Sequence, residues 1–400
     1  MILPLLAPVT EAISRLNRRG HEAYAVGGCV RDLLRGVAPH DYDICVSCPP
    51  QETHACFAGE RVIDTGIKHG TVTVLLGGMP LEITTFRTDG AYADGRHPDA
   101  VRFTRSLAED LKRRDFTVNA MAYHPDSGVT DLFGGQDDLR AGVIRCVGDA
   151  RTRLTEDALR ILRALRFAAQ LDYRIAPATA EALHGLCGRL SLVSRERVAE
   201  ELLRMLRFRA AAPALRAFPD VFRAAMPDFP PEALDGGLDA VQRLPGGDSL
   251  LALAALLHAC GAATDACLRS LRLSKTMETQ ATALCALADQ PFDAIDAPVF
   301  LARLGGAQWE RLLLLQQACC RLTAAQAAER ADSANAARAD GLPLSLRDLP
   351  VGGGDLQALG YGGPAVGQTL KRLHEAVLRR ALPCDREALL DWAKQQLPPG

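Results

Sequence analysis

Hydrophobic and polar residues alternate differently in the first third of the chain and in the rest. Up to about residue 140, short apolar runs with a two-residue period predict strands between helical segments; the strand candidates are AYAVG, YDICV, GTVTVLL and LEITTFR. From about residue 141 onward, Leu, Ala and Arg recur every three or four residues, which predicts helices almost throughout. The pattern therefore predicts a mixed α and β domain followed by an all-helical remainder.

Two compositionally biased stretches lie in the helical part. Residues 219–247 are rich in Pro and Gly, and we expect them to join two helical modules. Residues 324–339 are dominated by Ala with interspersed charges, which predicts a long exposed helix.

Composition narrows the class of protein. The chain has 400 residues, 48% of them hydrophobic, with 46 Lys+Arg against 48 Asp+Glu and a formal net charge of −2. A polynucleotide partner would therefore have to be bound by local basic clusters. There is no apolar run of membrane-spanning length, and the 12 Cys follow no signal peptide, which favours reduced thiols in a cytoplasmic protein. Cys45 and Cys48 form a CxxC without a second ligand pair, so we expect no metal site there.

The stretch AYAVGGCVRDLLRGVAPHDYDI combines a strand-like run, a double-glycine turn, a short helix and two aspartates. Asp41 and Asp43 project from the same side of an extended segment, where their oxygens suit Mg²⁺. Gly27 and Gly28 let a triphosphate approach backbone N–H groups at the start of the helix. Arg31 adds a cation for phosphate oxygens. Each feature alone is an ordinary turn or loop, but their ordered combination indicates a nucleotide-handling site.

The segment VGGCVRDLLRG followed by DYDI resembles the signature of class II tRNA nucleotidyltransferases and bacterial poly(A) polymerases, within the DNA polymerase β superfamily. The resemblance implies an α+β fold, with an N-terminal nucleotidyltransferase domain (a small mixed β-sheet with helices) and then all-helical modules. It implies two Mg²⁺ ions at Asp41 and Asp43 that activate a 3′-hydroxyl and stabilise the pyrophosphate leaving group. The expected modules are a catalytic head, a neck carrying the nucleotide-selecting helix, a body and a tRNA-binding tail, at residues 1–140, 141–207, 208–325 and 326–400.

Glu82 is a further candidate for the carboxylate cluster. Strand alternation in LEITTFR places Glu82, Thr84 and Phe86 on one face, so Glu82 could join the two aspartates. The alternative, a carboxylate on the strand surface, stays open.

The polar, Gly-containing segment TDGAYADGRHPDAVRFTRSLAE follows the LEITTFR strand, with Tyr92, Arg96 and His97 in its middle. It resembles the loop that, in relatives, helps switch the active site from C addition to A addition and is shortened in enzymes that add only CC. Its presence favours complete CCA synthesis, while a plain surface excursion is the alternative.

A second motif, RRDFTVNAM at residues 113–121, also resembles the family. Asp115 and Asn119 are one helical turn apart and can reach a ribose hydroxyl, while Arg114 suits phosphate. Taken alone, RRD would be a solvated basic patch. The segment DLFGGQDDL at residues 131–139 matches the hinge-like third motif, or else forms an ordinary turn that caps a helix.

The segment EDALRILRALR at residues 156–166 predicts a helix that selects the base. Asp157, Arg160 and Arg163 recur every three residues and would share one face of that helix. Cytosine and adenine both present an exocyclic amine beside a ring-nitrogen acceptor, where guanine and uracil carry a carbonyl. A carboxylate only accepts and a guanidinium only donates, so Asp157 and Arg160 together would accept C and A and reject G and U.

The resemblance gives the matching Asp and Arg the role of an amino-acid template for CTP and ATP. It places Arg163 and Arg166 against the triphosphate or the RNA backbone. The alternative is a stripe of surface ion pairs. Residues 194–202, SRERVAEEL, resemble the fifth motif, a helix with Ser194 as capping residue that buttresses the template helix.

A glycine-rich turn and helix near the C-terminus, GGGDLQALGYGGPAVGQTLKRLHEAVL, resemble the family's tail. Lys371 and Arg372 in this helix suit sequence-independent contact with an RNA backbone. Simple packing of a helix hairpin is the alternative.

The motifs predict an enzyme that adds C, C and A to the tRNA 3′ end from CTP and ATP, bound to the acceptor end and backbone of tRNA, with no membrane and no protein partner implied. A partial enzyme that adds only CC or A, and a poly(A) polymerase, are the alternatives within the same chemistry. A phosphohydrolase would need an HD motif, whereas His258 is a single His in an apolar helix. Intact Asp41, Asp43 and Arg160 weigh against a catalytically inactive RNA-binding protein.

Overall fold

The computed structural model describes residues 2–89 and 101–396. Tyr92, Arg96 and His97 of the predicted switching loop lie outside the described residues. In the described ranges the strands, numbered in chain order, are β1 (Ala23–Val26), β2 (Asp43–Val46), β3 (Arg61–Gly66), β4 (Thr71–Leu76), β5 (Met79–Thr85), β6 (Arg87–Asp89), β7 (Val101–Phe103), β8 (Met121–His124), β9 (Gly128–Asp131), β10 (Val143–Ile144) and β11 (Arg174–Ile175).

Helices precede, connect and follow these strands. In the same ranges they are α1 (Ala7–Arg18), α2 (Gly28–Leu34), α3 (Pro50–Cys56), α4 (Leu107–Lys112), α5 (Gly135–Ala141), α6 (Ala150–Glu156), α7 (Leu159–Leu171), α8 (Pro177–Leu186), α9 (Arg195–Leu206), α10 (Ala211–Ala217), α11 (Pro219–Ala225), α12 (Leu234–Arg243), α13 (Ser249–His258), α14 (Thr264–Leu271), α15 (Lys275–Ala288), α16 (Ala297–Leu304), α17 (Gly306–Ala318), α18 (Ala324–Ala339), α19 (Gly353–Ala358), α20 (Pro364–Leu378) and α21 (Arg386–Gln395). The predicted α+β fold, with the sheet in the first part and helices after it, is confirmed.

Seven of the described strands form one mixed sheet in the order β3-β4-β5-β2-β1-β8-β9. Its centre contains the parallel pair β2 and β5, while the other neighbouring strands pair antiparallel. The parallel register places Asp43 beside Glu82. Two residues distant in sequence and both acidic are thereby fixed next to each other by backbone hydrogen bonds.

Alternating apolar residues build the core beneath this sheet. In β4, Val72, Val74 and Leu76 are buried while the intervening residues are partly exposed, as the two-residue period of TVTVLL predicts. Helix α1 buries Val9, Ala12, Ile13 and Leu16, which share one face at helical spacing, in the same hydrophobic cluster. This packing fixes the sheet that positions the acidic pair.

The chain divides by its internal contacts into two compact units. The first comprises Met1–Pro231 with Arg269–Arg272, and the second comprises Glu232–Leu268 with Leu273–Gly400. The junction after residue 231 falls within the Pro- and Gly-rich stretch 219–247. The finer division into head, neck, body and tail stays a prediction.

The second unit is helical. Helix α13 buries eight consecutive residues, from 250 to 257, as expected of a helix that is apolar on all sides. Helix α18 has the predicted bounds but is not fully exposed, because Ala327, Arg330, Ala334 and Ala337 form a buried face. Among the helices that the structure describes, none is both long enough and apolar enough to cross a membrane.

Candidate active site

Three carboxylates meet at one end of the parallel strand pair. Asp43 is the first residue of β2, Asp41 lies two residues before it, and Glu82 is the direct neighbour of Asp43 on β5. All three line a cleft of about 980 Å³ in the first unit. The sequence prediction that these side chains lie together agrees with this arrangement.

The surroundings of Asp43 raise the pKa of its carboxyl group. Burial raises the pKa of Asp43 to about 6, and the negative charges of Asp41 and Glu82 act in the same direction. Arg114 opposes this effect without cancelling it. Negative charge thus accumulates where oxygen ligands converge, which is a donor set that fits a hard divalent cation such as Mg²⁺.

The double glycine lies at the start of α2. Gly27 has a φ of +80°, which side chains other than glycine rarely adopt, and a Cβ there would lie 3.1 Å from Nη1 of Arg114. Gly28 and Gly27 both line the cleft, so the backbone there is accessible to a ligand. Arg31 is buried; its guanidinium donates to Oδ1 of Asn119 at 2.7 Å and to both oxygens of Asp32 at 2.9 Å.

Asp115 connects the first part of the chain to α7, the helix that carries Arg160 and Arg163. Its Oδ2 accepts two hydrogen bonds from Arg163, at 2.8 Å from Nε and 2.6 Å from Nη2, while Oδ1 accepts from the backbone N–H of Phe116 at 2.8 Å. Burial alone would raise the pKa of Asp115, but the guanidinium groups of Arg163 and Arg160 lower it to about 2. Asp115 is therefore a charged carboxylate with fixed geometry.

Residues 115–119 are not helical as a whole. Asp115 lies in a loop, and Asn119 ends a short 3₁₀ turn, Thr117–Asn119. The Nδ2 of Asn119 still lies 3.4 Å from Oδ1 of Asp115. The two side chains are thus neighbours, as predicted, but through a turn and not along a helix.

The predicted single helix carrying Asp157, Arg160 and Arg163 is wrong in one respect. Helix α6 ends at Glu156, Asp157 is extended, and α7 begins at Leu159. Oδ1 of Asp157 accepts from the N–H of Leu159 at 3.0 Å, the kind of bond by which Asp starts a helix and interrupts the one before it. Asp157 and Arg160 nevertheless line the same cleft.

Arg160 is held by three groups. Its Nη1 donates to Oε2 of Glu156 at 2.6 Å and to the carbonyl of Arg153 at 3.0 Å, and its Nη2 donates to the carbonyl of Arg113 at 3.0 Å. The side chain is 10% exposed. The guanidinium is therefore fixed in orientation before any ligand arrives.

Sequence reasoning missed Glu156 and Glu201 as site residues. Glu156 precedes Arg160 by four residues, a spacing that itself signals a side-chain pair. Glu201 on α9 is buried and accepts from Nε of Arg166 at 2.6 Å, and it lies 3.9 Å from Nη1 of Arg163. No local pattern indicates Glu201, because its partners are 35 and more residues away.

Arg163 and Arg166 are engaged by protein groups. Arg163 pairs with Asp115, and Arg166 pairs with Glu201 and lies over the ring of Phe167, 4.0 Å from its centroid. Both line the cleft. The predicted contact of these two arginines with triphosphate or RNA stays a prediction.

Helix α9 packs beside α7, as the fifth motif predicts, but its first turn differs. Ser194 occupies the N-cap position, yet its side chain makes no capping hydrogen bond, so the predicted capping role is wrong. The buttress consists of Glu201 and of Arg197, whose Nη2 lies 3.5 Å from Oδ2 of Asp157.

The third motif forms a helix cap. Oδ1 of Asp131, at the end of β9, accepts from the N–H of Gly135 at 2.9 Å, and its Oδ2 accepts from that of Gln136 at 2.8 Å. These bonds satisfy the first N–H groups of α5. The predicted alternative of a turn that caps a helix agrees with this geometry.

Known protein families match successive parts of this chain. Residues 23–145 match the poly A polymerase head domain, residues 172–218 the RNA- and SrmB-binding site of polymerase A, and residues 248–393 domain 2 of tRNA nucleotidyltransferase.

Individual relatives agree with these matches. The chain is 35% identical to the CCA-adding enzyme of Levilactobacillus brevis over 386 residues, which cover 94% of this chain and 95% of that one. It is 52% identical to the CCA-adding enzyme of Leuconostoc mesenteroides over 194 residues, so this alignment spans about half of the relative, 48% of its length. The structure superposes on that of the Bacillus stearothermophilus CCA-adding enzyme in complex with CTP with a TM-score of 0.86, at 31% identity and 98% coverage of both chains. The chain therefore belongs to the class II tRNA nucleotidyltransferases, in the family of CCA-adding enzymes.

Proposed function

We propose that this protein adds C, C and A to the 3′ end of tRNA from CTP and ATP, with its own side chains in place of a nucleic-acid template. One observation carries the proposal: the carboxylates Asp41, Asp43 and Glu82 and the pair Asp157 and Arg160 line a single cleft. Its volume of about 980 Å³ is at the upper end of the range of ligand sites, which is room for a nucleotide and the end of an RNA strand. The relative of known structure with 31% identity is described in complex with CTP, which supports the choice of substrate.

Base selection follows from hydrogen-bond polarity. Arg carries five N–H donors, and the three contacts of Arg160 with Glu156, Arg153 and Arg113 occupy three of them. The Nε hydrogen and one Nη2 hydrogen are left for a ring nitrogen. Asp157 lines the cleft; its Oδ1 accepts from the N–H of Leu159, and its Oδ2, 3.5 Å from Nη2 of Arg197, keeps a lone pair that would accept from an exocyclic amine. Guanine and uracil would place a carbonyl against this carboxylate and leave both groups unpaired.

Asp41 and Asp43 would hold the two expected Mg²⁺ ions, and Glu82 completes the acidic cluster beside Asp43. The ions would neutralise phosphate charge and would lower the pKa of the attacking 3′-hydroxyl. Pyrophosphate would be the leaving group. The elevated pKa of Asp43 supports this assignment, because uncompensated carboxylates that repel each other gain most from a bound cation.

The triphosphate would bind where Gly27, Gly28 and Arg114 meet. Nε of Arg114 is buried and has no hydrogen-bond partner within the described residues, while its Nη2 is held by Oδ2 of Asp110 at 3.1 Å. Most buried donors in folded proteins have a partner, and a phosphate oxygen would supply one for this Nε. Arg31, bound to Asp32 and Asn119, adds positive charge to the same cleft, and Asn119 and Asp115, which also line it, would bind a ribose hydroxyl.

The test is nucleotide incorporation by the full-length chain. Purified protein is incubated with tRNA lacking its 3′ CCA, Mg²⁺ and each nucleoside triphosphate singly and together, and the products are resolved by single nucleotides. We expect C, C and A to be added in that order, and no product with Asp43→Asn. Asp126→Asn, whose carboxylate is 92% exposed on a turn, is the matched control and should keep full activity.

Other outcomes identify other functions. Incorporation of G or U as readily as C and A would overturn the template argument. A ladder of many A residues would indicate a poly(A) polymerase. Addition that stops after CC, or addition of a single A from ATP alone, would indicate a partial enzyme.

A further inference from the structure

A second group of ligand-type side chains lies in the first unit outside the catalytic cleft. Nε2 of His21 lies 3.7 Å from Oε2 of Glu52, and the ligand atoms of His21, Cys48 and Glu52 all lie within 4.8 Å of one another. We propose that this His21 cluster binds one Zn²⁺ ion, independently of the nucleotide site. Nothing in the proposed nucleotidyl transfer uses these three residues.

The backbone holds the three residues together before any ion binds. The N–H of His21 donates to the carbonyl of Leu16 at 3.2 Å, which fixes the turn after α1. That turn is tied to the end of β2, because the N–H of Glu22 donates to Oγ of Ser47 and the N–H of Ser47 donates to the carbonyl of Glu22, both at 2.9 Å. Cys48 follows Ser47 directly. Because these backbone bonds already order the site, little conformational entropy is lost when the ion binds.

The first turn of α3 supplies the third ligand. The N–H of Glu52 donates to the carbonyl of Pro49 at 3.1 Å, so the backbone of Glu52 is anchored next to Cys48. The side chain of Glu52 is 54% exposed and free to rotate toward the other two. The ligand atoms of a tetrahedral Zn²⁺ lie about 3.5 Å apart. The distances between the ligand atoms of the His21 cluster must therefore shorten by roughly 1 Å when the ion binds, and rotation of the Glu52 side chain allows this.

The donor set selects the metal. A thiolate, an imidazole and a carboxylate suit Zn²⁺, whereas Mg²⁺ takes oxygen ligands and is disfavoured by a thiol. Three protein ligands leave the fourth tetrahedral position for water. Oγ1 of Thr53 lies 3.4 Å from both Sγ of Cys48 and the carbonyl of Pro49, so its hydroxyl can turn from that carbonyl to donate to a metal-bound thiolate.

Access to the site comes from one side. Cys48 is 2% exposed, but His21 also lines an open hollow of about 380 Å³. An ion can therefore reach the imidazole from solvent and then the thiol. This proposal differs from the expectation, drawn from the CxxC alone, of no metal site at Cys48. Cys45 takes no part, because it belongs to a different core cluster from Cys48.

Co²⁺ is the probe, because only a thiolate ligand gives Co²⁺ an intense charge-transfer absorption, and the carboxylates of the catalytic cleft do not. The metal-free full-length protein is titrated with Co²⁺ in excess Mg²⁺, and the bound Co²⁺ is then displaced with Zn²⁺. We expect one Co²⁺ per chain with this absorption, lost on adding one equivalent of Zn²⁺. Cys48→Ser should abolish the absorption, and His21→Ala and Glu52→Gln should each weaken Zn²⁺ binding at least tenfold.

Matched controls keep the test decisive. His54→Ala removes a neighbouring histidine on α3 that pairs with Asp64, and Cys384→Ser removes an exposed thiol; both should bind as the wild type does. Glu52 is exposed, so Glu52→Gln tests the site in a protein whose fold is undisturbed. The proposal is overturned if the wild type shows no thiolate absorption, if Cys48→Ser retains it, or if His54→Ala loses binding while His21→Ala keeps it.

Discussion

At the scale of single residues, Asp115 is a buried carboxylate of the cleft that pairs with Arg163. Replacing it by Asn keeps its shape but removes the charge that faces Arg163. Because breaking a largely buried pair leaves the remaining charge uncompensated, we expect Asp115→Asn to lower the free energy of unfolding by about 2 kcal/mol at neutral pH. Urea unfolding measures this loss.

The pH dependence has a definite sign. The pKa of Asp115 is about 2 in the folded protein, below its ordinary 3.8, so its contribution is present above about pH 4 and is lost as the pH falls through about 2. The difference between wild type and variant should therefore shrink on acidification. Asp137→Asn, at an exposed pair with Arg140, is the control and should change stability by less than about 0.5 kcal/mol. Equal losses in both variants would contradict the assignment.

In the proposed base selection, Glu156 would act through Arg160, whose guanidinium it binds. Glu156→Gln weakens one of the three contacts that orient the guanidinium. We expect kcat/KM for CTP and ATP to fall about tenfold and misincorporation of G and U to rise, measured by single-nucleotide addition. Glu11→Gln alters another Glu–Arg pair at four-residue spacing, on α1, and should leave both unchanged. A fall for all four nucleotides in equal proportion would show that Glu156 supports the fold and not the choice of base.

At the scale of elements, the break between α6 and α7 sets the position of Asp157. Oδ1 of Asp157 accepts from the N–H of Leu159, and the Asn amide oxygen can accept the same bond, so Asp157→Asn should change the free energy of unfolding by less than about 0.5 kcal/mol. Asp157→Ala removes the acceptor and should cost about 1 kcal/mol. The Asn amide also donates, so it can meet a carbonyl. We expect Asp157→Asn to reduce the preference for C over U about tenfold in competition assays. An unchanged preference would remove Asp157 from base selection.

The sequence predicted the elements that depend on local pattern. Alternation in YDICV and LEITTFR predicts β2 and β5, and also the strand faces on which Asp43 and Glu82 lie. Only the parallel register of the two strands shows that these residues are direct neighbours, and register depends on contacts distant in sequence. Strands β3, β8 and β9 of the same sheet are not among the strands that the sequence pattern predicts. The helix break at Asp157 has no signal in the spacing, because the three-residue period of the motif continues across it.

At the scale of the whole molecule, charge is distributed unevenly. The formal net charge is −2, yet nine arginines and six acidic residues of the described chain line the one catalytic cleft. Local concentration of positive charge is what an overall neutral protein needs in order to attract a polyanion. The expectation of local basic clusters, drawn from composition, agrees with this cleft.

The second unit is predicted to hold the RNA backbone through α20. Lys371 on this helix is exposed, and Lys371→Ala should raise KM for tRNA about threefold while KM for CTP stays the same, because the nucleotide cleft lies in the first unit. The slope of log affinity against log salt should fall by about one. Lys394→Ala, at a lysine paired with Asp391, is the control. A rise in both KM values would contradict a role confined to RNA.

Two of the three groups that fix Arg160 are main-chain carbonyls, those of residues 113 and 153. A carbonyl persists whatever side chain its residue bears, so amino-acid replacement at either position leaves that acceptor in place. If Arg160 reads the base as proposed, substitutions at these two positions would leave two of its three acceptors unchanged. Mutation could then alter the charge around the pocket while the orientation of this guanidinium is retained.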